Sequence, residues 1–210
     1  MSTIHGPIVT LLAGRDRKPF KVHREILIAK SPYFSRLLPT PQSENQNLAL
    51  DADPSTIALF VNFLYWQHYT LPHNCSEKSE QLSTHARLYI LGLRFRIARL
   101  MEEALLKIYL LVKDETRCDD RRLELVKEVY TSISAPEDEL KRMLAATVAA
   151  RWEDYRWDFR EADSEVGMLM EEFPGFMREV LGRLCGGSAV GPPQHLVQVR
   201  SMKRKKEDCD

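Results

Sequence analysis

The hydrophobic period of this chain changes once near its start, and the change comes at His23. Before it, Ile8-Val9-Thr10-Leu11-Leu12 is a β-branched run that ends at Gly14, with the charged Arg15-Asp16-Arg17-Lys18 behind it. Phe20-Lys21-Val22 then alternates apolar and polar, so the two runs predict a hairpin with a charged turn. From His23 onward the spacing is helical. Ile26, Leu27 and Lys30 lead to Ser31-Pro32, which stops one helix and starts another, with Ser31 as N-cap and Pro32 at the first helical position. Tyr33, Phe34, Leu37 and Leu38 continue at i, i+1, i+4, i+5 until Pro39 and Pro41 end the run. A chain that opens this way is committed to an α+β arrangement, a small sheet with helices against it.

The rest of the chain is mostly helical. The polar stretch Thr40 to Gln46 reads as a mobile loop, and Leu48-Ala49-Leu50 as a third short strand. Asp53-Pro54 is a helix start with Asp53 as cap. Ile57, Phe60, Val61 and Leu64 follow at i, i+3, i+4, i+7, the stripe of a helix packed on a core. A second stripe uses Leu82, Ala86, Tyr89, Ile90 and Leu93, and a third Ile97, Leu100, Met101, Ala104, Leu105 and Ile108. Beyond Lys113 strand signals disappear. Leu123, Val126, Tyr130 and Ile133 mark one helix, and Ser134-Ala135-Pro136-Glu137 restarts the chain into another carrying Leu140, Met143, Leu144, Val148 and Trp152. Its alanine pairs at 145–146 and 149–150 favour helix and permit close contact. A last helical pair, Val166 to Phe173 and Phe176 to Leu184, is expected to break at Pro174-Gly175. The expected organisation is a first domain over 1–112, a helical extension over 113–185 and a disordered tail over 186–210, rich in Gly, Pro, Ser and charge.

Composition serves to exclude. Lys plus Arg and Asp plus Glu both total 30, so no global field is available to hold phosphate backbones, and nucleic acid is not an expected partner. No apolar run reaches the roughly 18–20 residues of a membrane-spanning helix. The opening Met1-Ser2-Thr3-Ile4-His5-Gly6-Pro7 lacks the basic and apolar regions of a secretory signal. The four cysteines, Cys75, Cys118, Cys185 and Cys209, form no CxxC pair and are expected to be reduced thiols. The expectation is an intracellular, soluble protein, cytoplasmic or nuclear.

Residues 8–112 resemble the BTB/POZ family. The resemblance is densest in Phe20-Lys21-Val22-His23-Arg24-Glu25-Ile26-Leu27-Ile28-Ala29-Lys30-Ser31-Pro32-Tyr33-Phe34, which is similar to the family's F-x-V-H-[KR]-x-x-L-x-x-x-S-x-Y/F-F signature. Its signature positions Phe20, Val22, His23, Leu27, Ser31, Tyr33 and Phe34 are read as mainly structural. Further matches are Leu48-Ala49-Leu50, Phe63-Leu64-Tyr65 followed by Tyr69, and Ala86 with Leu88-Tyr89 and Leu91. The latter half, ending in Phe173-Pro174-Gly175-Phe176, resembles the helical extension of many fungal BTB proteins. Ile8 departs from the family, which usually has Asp there as part of a polar pocket. With seven residues ahead of the first strand, the longer arm of the family's domain-swapped dimers is not expected. The resemblance implies a BTB/POZ fold, a sheet of three or more strands flanked by helices and followed by an all-α extension.

Several residues carry both a functional and a plain reading. Histidine is a common functional residue, but His23 has no nucleophile or carboxylate partner legible nearby, so it reads as capping or bracing a helix start. His68, His73, Cys75 and His85 match no structural zinc spacing, and a solvated loop accounts for them. Trp152, Tyr155, Trp157 and Phe159 among charged neighbours are either an interface or the packed end of a helix. Tyr65, Trp66 and Tyr69 pose the same alternative and are candidate protein contacts. Lys203-Arg204-Lys205-Lys206 is a candidate nuclear-import run, or a solvating tail.

Catalytic patterns are missing: there is no GxGxxG, GxxxxGK[ST], GxSxG or HExxH. No catalytic, cofactor-binding or metal-binding residue is therefore assigned, and no small-molecule substrate is expected. The resemblance implies protein partners, with further copies of this chain and a cullin as the candidates, and a role as protein-interaction module or substrate adaptor for a cullin-type ubiquitin ligase. The family's apolar-x-Glu element for cullins has its nearest counterpart in Cys75-Ser76-Glu77. The alternative is a self-associating, transcription-linked nuclear regulator without a DNA-reading domain.

Overall fold

A computed structural model describes residues 6–38, 46–73, 75, 77–113, 120–135, 138–155 and 164–186. The β-branched opening run is strand β1 (Ile8–Ala13), and the alternating run is strand β2 (Lys18–His23). They pair antiparallel with Val9 opposite Val22 and Leu11 opposite Phe20. Because residues two apart share a face, Val9, Leu11 and Ala13 all point inward and are buried. Gly14 turns the chain at φ +68°, a region open to glycine at no steric cost, and the Arg17 N–H donates back to its carbonyl at 3.2 Å.

Strand β3 (Gln46–Leu50) joins the other side of β1 in parallel, with Leu48 opposite Leu11, so the sheet order is β2-β1-β3. A parallel pair needs a crossover, which includes helices α1 (Arg24–Lys30) and α2 (Pro32–Leu37). The two helices meet at Ser31, which is fully buried. Its backbone N–H closes α1 on the Leu27 carbonyl at 3.0 Å. Its hydroxyl oxygen accepts the Phe34 N–H at 3.2 Å as N-cap of α2, and its proton goes to the Phe95 carbonyl at 2.5 Å. One residue thus ties three helix ends together.

Helix α3 (Pro54–Trp66) starts as its sequence predicts. Asp53 accepts the N–H groups of Ser55 at 2.9 Å and Thr56 at 3.3 Å, and the Ser55 hydroxyl bonds the same oxygen. That hydroxyl bond, with the two amides behind it, holds the Asp53 carboxyl below its usual range against a partial desolvation. Helix α4 (Lys78–Phe95) runs to the Phe95 carbonyl that Ser31 satisfies. It buries Leu82, His85, Ala86, Leu88, Tyr89, Leu91, Gly92 and Phe95, whereas Ile90 and Leu93 of the predicted stripe are half-buried. Near-complete envelopment erases the one-sided pattern that a surface helix shows. The core around it is aromatic, with the Phe95 ring 4.7 Å from Phe34 and 5.5 Å from Phe60 between centroids. Helix α5 (Ala98–Lys113) follows after one tight corner at Arg96.

Packing divides the chain into two compact units, 1–104 and 105–210. In the second lie α6 (Asp120–Ser132), α7 (Glu139–Ala150), α8 (Trp152–Tyr155), α9 (Glu165–Glu172) and α10 (Pro174–Gly186). Ala145 and Ala146 are buried on α7, which packs on α10. Tyr130 of α6 lies 5.7 Å from the Phe173 ring and 5.4 Å from Phe176, with the Lys141 ammonium 4.7 Å over its own ring. Two expected boundaries move. The last helix pair breaks at Phe173, not at Pro174-Gly175, because proline at the first helical position starts α10 without losing a hydrogen bond. The helix expected to carry Trp152 ends at Ala150, and Trp152 opens α8. The tail expectation falls outside the described residues from 187 onward.

Candidate protein-contact surface

The candidate aromatics sit where α3 ends. Trp66 is its last residue, and Gln67 caps it in the left-handed region at φ 60°, ψ 16°. A non-glycine residue there costs on the order of 1 kcal/mol. The Gln67 N–H offsets part of this by donating to the Phe63 carbonyl at 2.8 Å.

Two Tyr–His pairs brace the corner from either side. Tyr65 points back toward the start of α1, where its hydroxyl accepts the His23 backbone N–H at 3.2 Å. The same hydroxyl lies 2.7 Å from His23 Nδ1, within hydrogen-bond distance of the ring. His23 therefore braces a helix start through its ring, with no side-chain cap bond of its own. On the other side Tyr69 turns inward. Its hydroxyl is 2.8 Å from His85 Nδ1, and its backbone N–H donates to Glu103 Oε1 at 3.2 Å. Burial, with the Glu103 carboxylate adding to it, pushes the Tyr69 phenol up, so it stays protonated.

Of the three aromatics expected at a contact, Trp66 alone faces solvent fully, at 69% exposure. Tyr65 is half-buried, and Tyr69 is 2% exposed. The contact expectation for Tyr69 is thus corrected: it is an internal anchor, drawn in by a histidine sixteen residues away along the chain. The solvated-loop expectation holds for His68 and His73, which are exposed, and not for Cys75 or His85, which are buried. Burial and the nearby Glu80 push the Cys75 thiol up, away from thiolate chemistry. Among the described residues no three His, Cys, Asp or Glu side chains are grouped to hold a metal ion. No described helix is long and apolar enough to cross a membrane.

The signature residues mostly fill the core. Val22, Leu27, Ser31 and Phe34 are fully buried, Phe20 and His23 half-buried, and Tyr33 is 37% exposed. Residues 9–106 match the family model of the BTB/POZ domain. The chain carries a BTB/POZ domain. Its β1 from Val9 onward, β2, the helix pair with Ser31 between them, β3, α3 and α4 fall inside the match. No curated protein matches the chain.

A BTB/POZ domain is a protein-interaction module, and this one offers Trp66 on a braced corner. Sequence reasoning missed the partners that hold that corner: His85 and Glu103 lie 16 and 34 residues from Tyr69, and Gln67, though next to Trp66, is not a residue type that signals a left-handed cap. In the second unit Trp152 is half-buried and Tyr155 buried, while Trp157 and Phe159 lie outside the described residues, as does the Lys203-Arg204-Lys205-Lys206 run.

Proposed function

We propose that this protein is a non-enzymatic adaptor that docks a partner protein on the Trp66 corner of its BTB/POZ domain, and that the partner is the N-terminal region of a cullin-type ubiquitin ligase scaffold. One observation carries the reading: a tryptophan 69% exposed on a corner that two buried or half-buried Tyr–His pairs hold rigid. A pre-ordered aromatic loses little conformational freedom on binding, and tryptophan is among the residues that dominate interface energies. Covering its free surface is worth on the order of 3 kcal/mol. In family members that bind cullins an apolar-x-Glu element follows the third helix, and the nearest counterpart between Gln67 and Glu77 is Cys75-Ser76-Glu77, an incomplete match. The domain limits 1–112 and 113–185 belong to the same reading, the second part being a helical extension.

The test is co-elution of the full chain with a recombinant cullin N-terminal region, wild type against Trp66→Ala. Complex formation by the wild type, weakened about 100-fold in the variant at unchanged far-ultraviolet circular dichroism, is the expected result. No complex with the wild type rejects the cullin, and equal binding by the variant rejects the corner. The rival reading is a self-associating nuclear regulator imported through Lys203-Arg204-Lys205-Lys206. Deletion of that run with no change of localisation removes its main support.

A further inference from the structure

In a chain with equal numbers of acidic and basic residues, the stretch from Gln81 to Met101 contains four arginines and no Asp or Glu. The stretch from Ile26 to Leu38 likewise has Lys30 and Arg36 and no acid. The fold brings these two stretches together. Ser31 bonds the Phe95 carbonyl at 2.5 Å, which puts Lys30 beside the end of α4. The Tyr33 ring packs on Phe95 at 5.4 Å, and the Arg94 guanidinium stands 5.7 Å over the same Phe95 ring. Lys30, Arg36, Arg94, Arg96 and Arg99 are all exposed, and among the described residues none of them makes an ion pair.

Two more features distinguish this face from a merely solvated one. On α2, Tyr33, Arg36 and Leu37 lie within one helical face, so Tyr33 at 37% and Leu37 at 46% exposure flank Arg36, and Tyr33 shares the Phe95 ring with Arg94. Arg96 occupies the left-handed cap of α4 at φ 57°, ψ 47°, a place where glycine is the unstrained choice. The chain keeps a charged residue there at a cost to its own stability.

We infer that this face, distinct from the Trp66 corner, is a docking site for an acidic peptide segment of a partner protein with an apolar side chain among its carboxylates. Charge complementarity selects the carboxylates, and Tyr33 with Leu37 receives the apolar anchor. The aliphatic Leu37 and the one half-covered ring favour such a peptide over a single-stranded nucleic acid, which needs a series of stacking platforms.

The probe is a short fluorescein-labelled peptide alternating Asp and Leu, titrated by fluorescence anisotropy into the full-length protein. Saturable binding that weakens as salt rises is expected. The double variant Arg94→Glu, Arg96→Glu lowers affinity at least about tenfold, and Leu37→Ser lowers it without changing the salt dependence. Trp66→Ala leaves it unchanged, which separates this site from the corner. Arg96→Gly relaxes the backbone and still weakens binding, an outcome that a purely structural role for Arg96 does not give. Four results overturn the inference: no binding by the wild type, unchanged binding by the double variant, competition by oligothymidine equal to that of unlabelled peptide, or a dimer of the full chain that Leu37→Ser converts to monomer, since a second copy then owns the face.

Discussion

Replacing Ser31 by alanine removes two hydrogen bonds with one oxygen, and their cost can be worked out from the surroundings. Loss of the α2 N-cap, in which the hydroxyl accepts the Phe34 N–H, costs about 1 kcal/mol. The Phe95 carbonyl, one of the last of α4 and therefore without an intrahelical partner, loses its donor inside a closed core. Stranding a buried acceptor costs about 1–3 kcal/mol more. The sum is about 3 kcal/mol, a large share of the roughly 5–15 kcal/mol that holds a domain together. Native-state hydrogen exchange with mass spectrometry reads it locally. Peptides covering residues 24–38 and 92–99 of the Ser31→Ala variant exchange about two orders of magnitude faster than wild type, while peptides from α7 and α10 in the second unit are unchanged. Ser31→Gly separates the terms, because glycine retains most of the N-cap preference but cannot bond Phe95. If Ser31→Ala changes exchange at 24–38 alone, Phe95 does not depend on Ser31 and the three-helix tie is refuted.

Arg96→Gly relieves the left-handed cap of α4 and raises stability by about 0.5–1 kcal/mol, seen as a higher urea midpoint at an unchanged slope; a lower midpoint contradicts the strain argument. Asp53→Ala costs about 1 kcal/mol at neutral pH through loss of the α3 cap. Because the folded Asp53 carboxyl is held below the ordinary aspartate range, its contribution is full above that range and fades as pH falls through the folded value, so the wild type and variant urea midpoints converge in acid. A gap that persists at low pH assigns the effect to something other than the charge.

What the sequence makes legible here is whatever is local. Ser31-Pro32 and Asp53-Pro54 name their helix starts because cap and first turn are adjacent in the chain, and both are found at those residues. The switch of period at His23 likewise places the hairpin and the helix pair. What is not legible depends on partners far along the chain. Tyr69 looks like a surface aromatic until His85 and Glu103 are seen to hold it inward. Pro174-Gly175 reads as the break, one residue late, since proline ends a helix in its interior but begins one at its first position. The acid-free stretch from Gln81 to Met101 was there to be counted, but only the Ser31–Phe95 bond shows that it adjoins Lys30 and the exposed face of α2.

The tie at Ser31 also sets a schedule for synthesis on the ribosome. Its acceptor lies 64 residues further on, so at about 5–20 residues per second the carbonyl of Phe95 is made roughly 3 to 13 seconds after the hydroxyl that will bond it. During that interval the hairpin can close, but Phe34 has no Phe95 ring to cover it and the α1–α2 junction lacks its third helix. The nascent chain thus carries an uncovered aromatic and an incomplete junction until α4 has left the exit tunnel, and that is the window in which a ribosome-associated chaperone has something to hold.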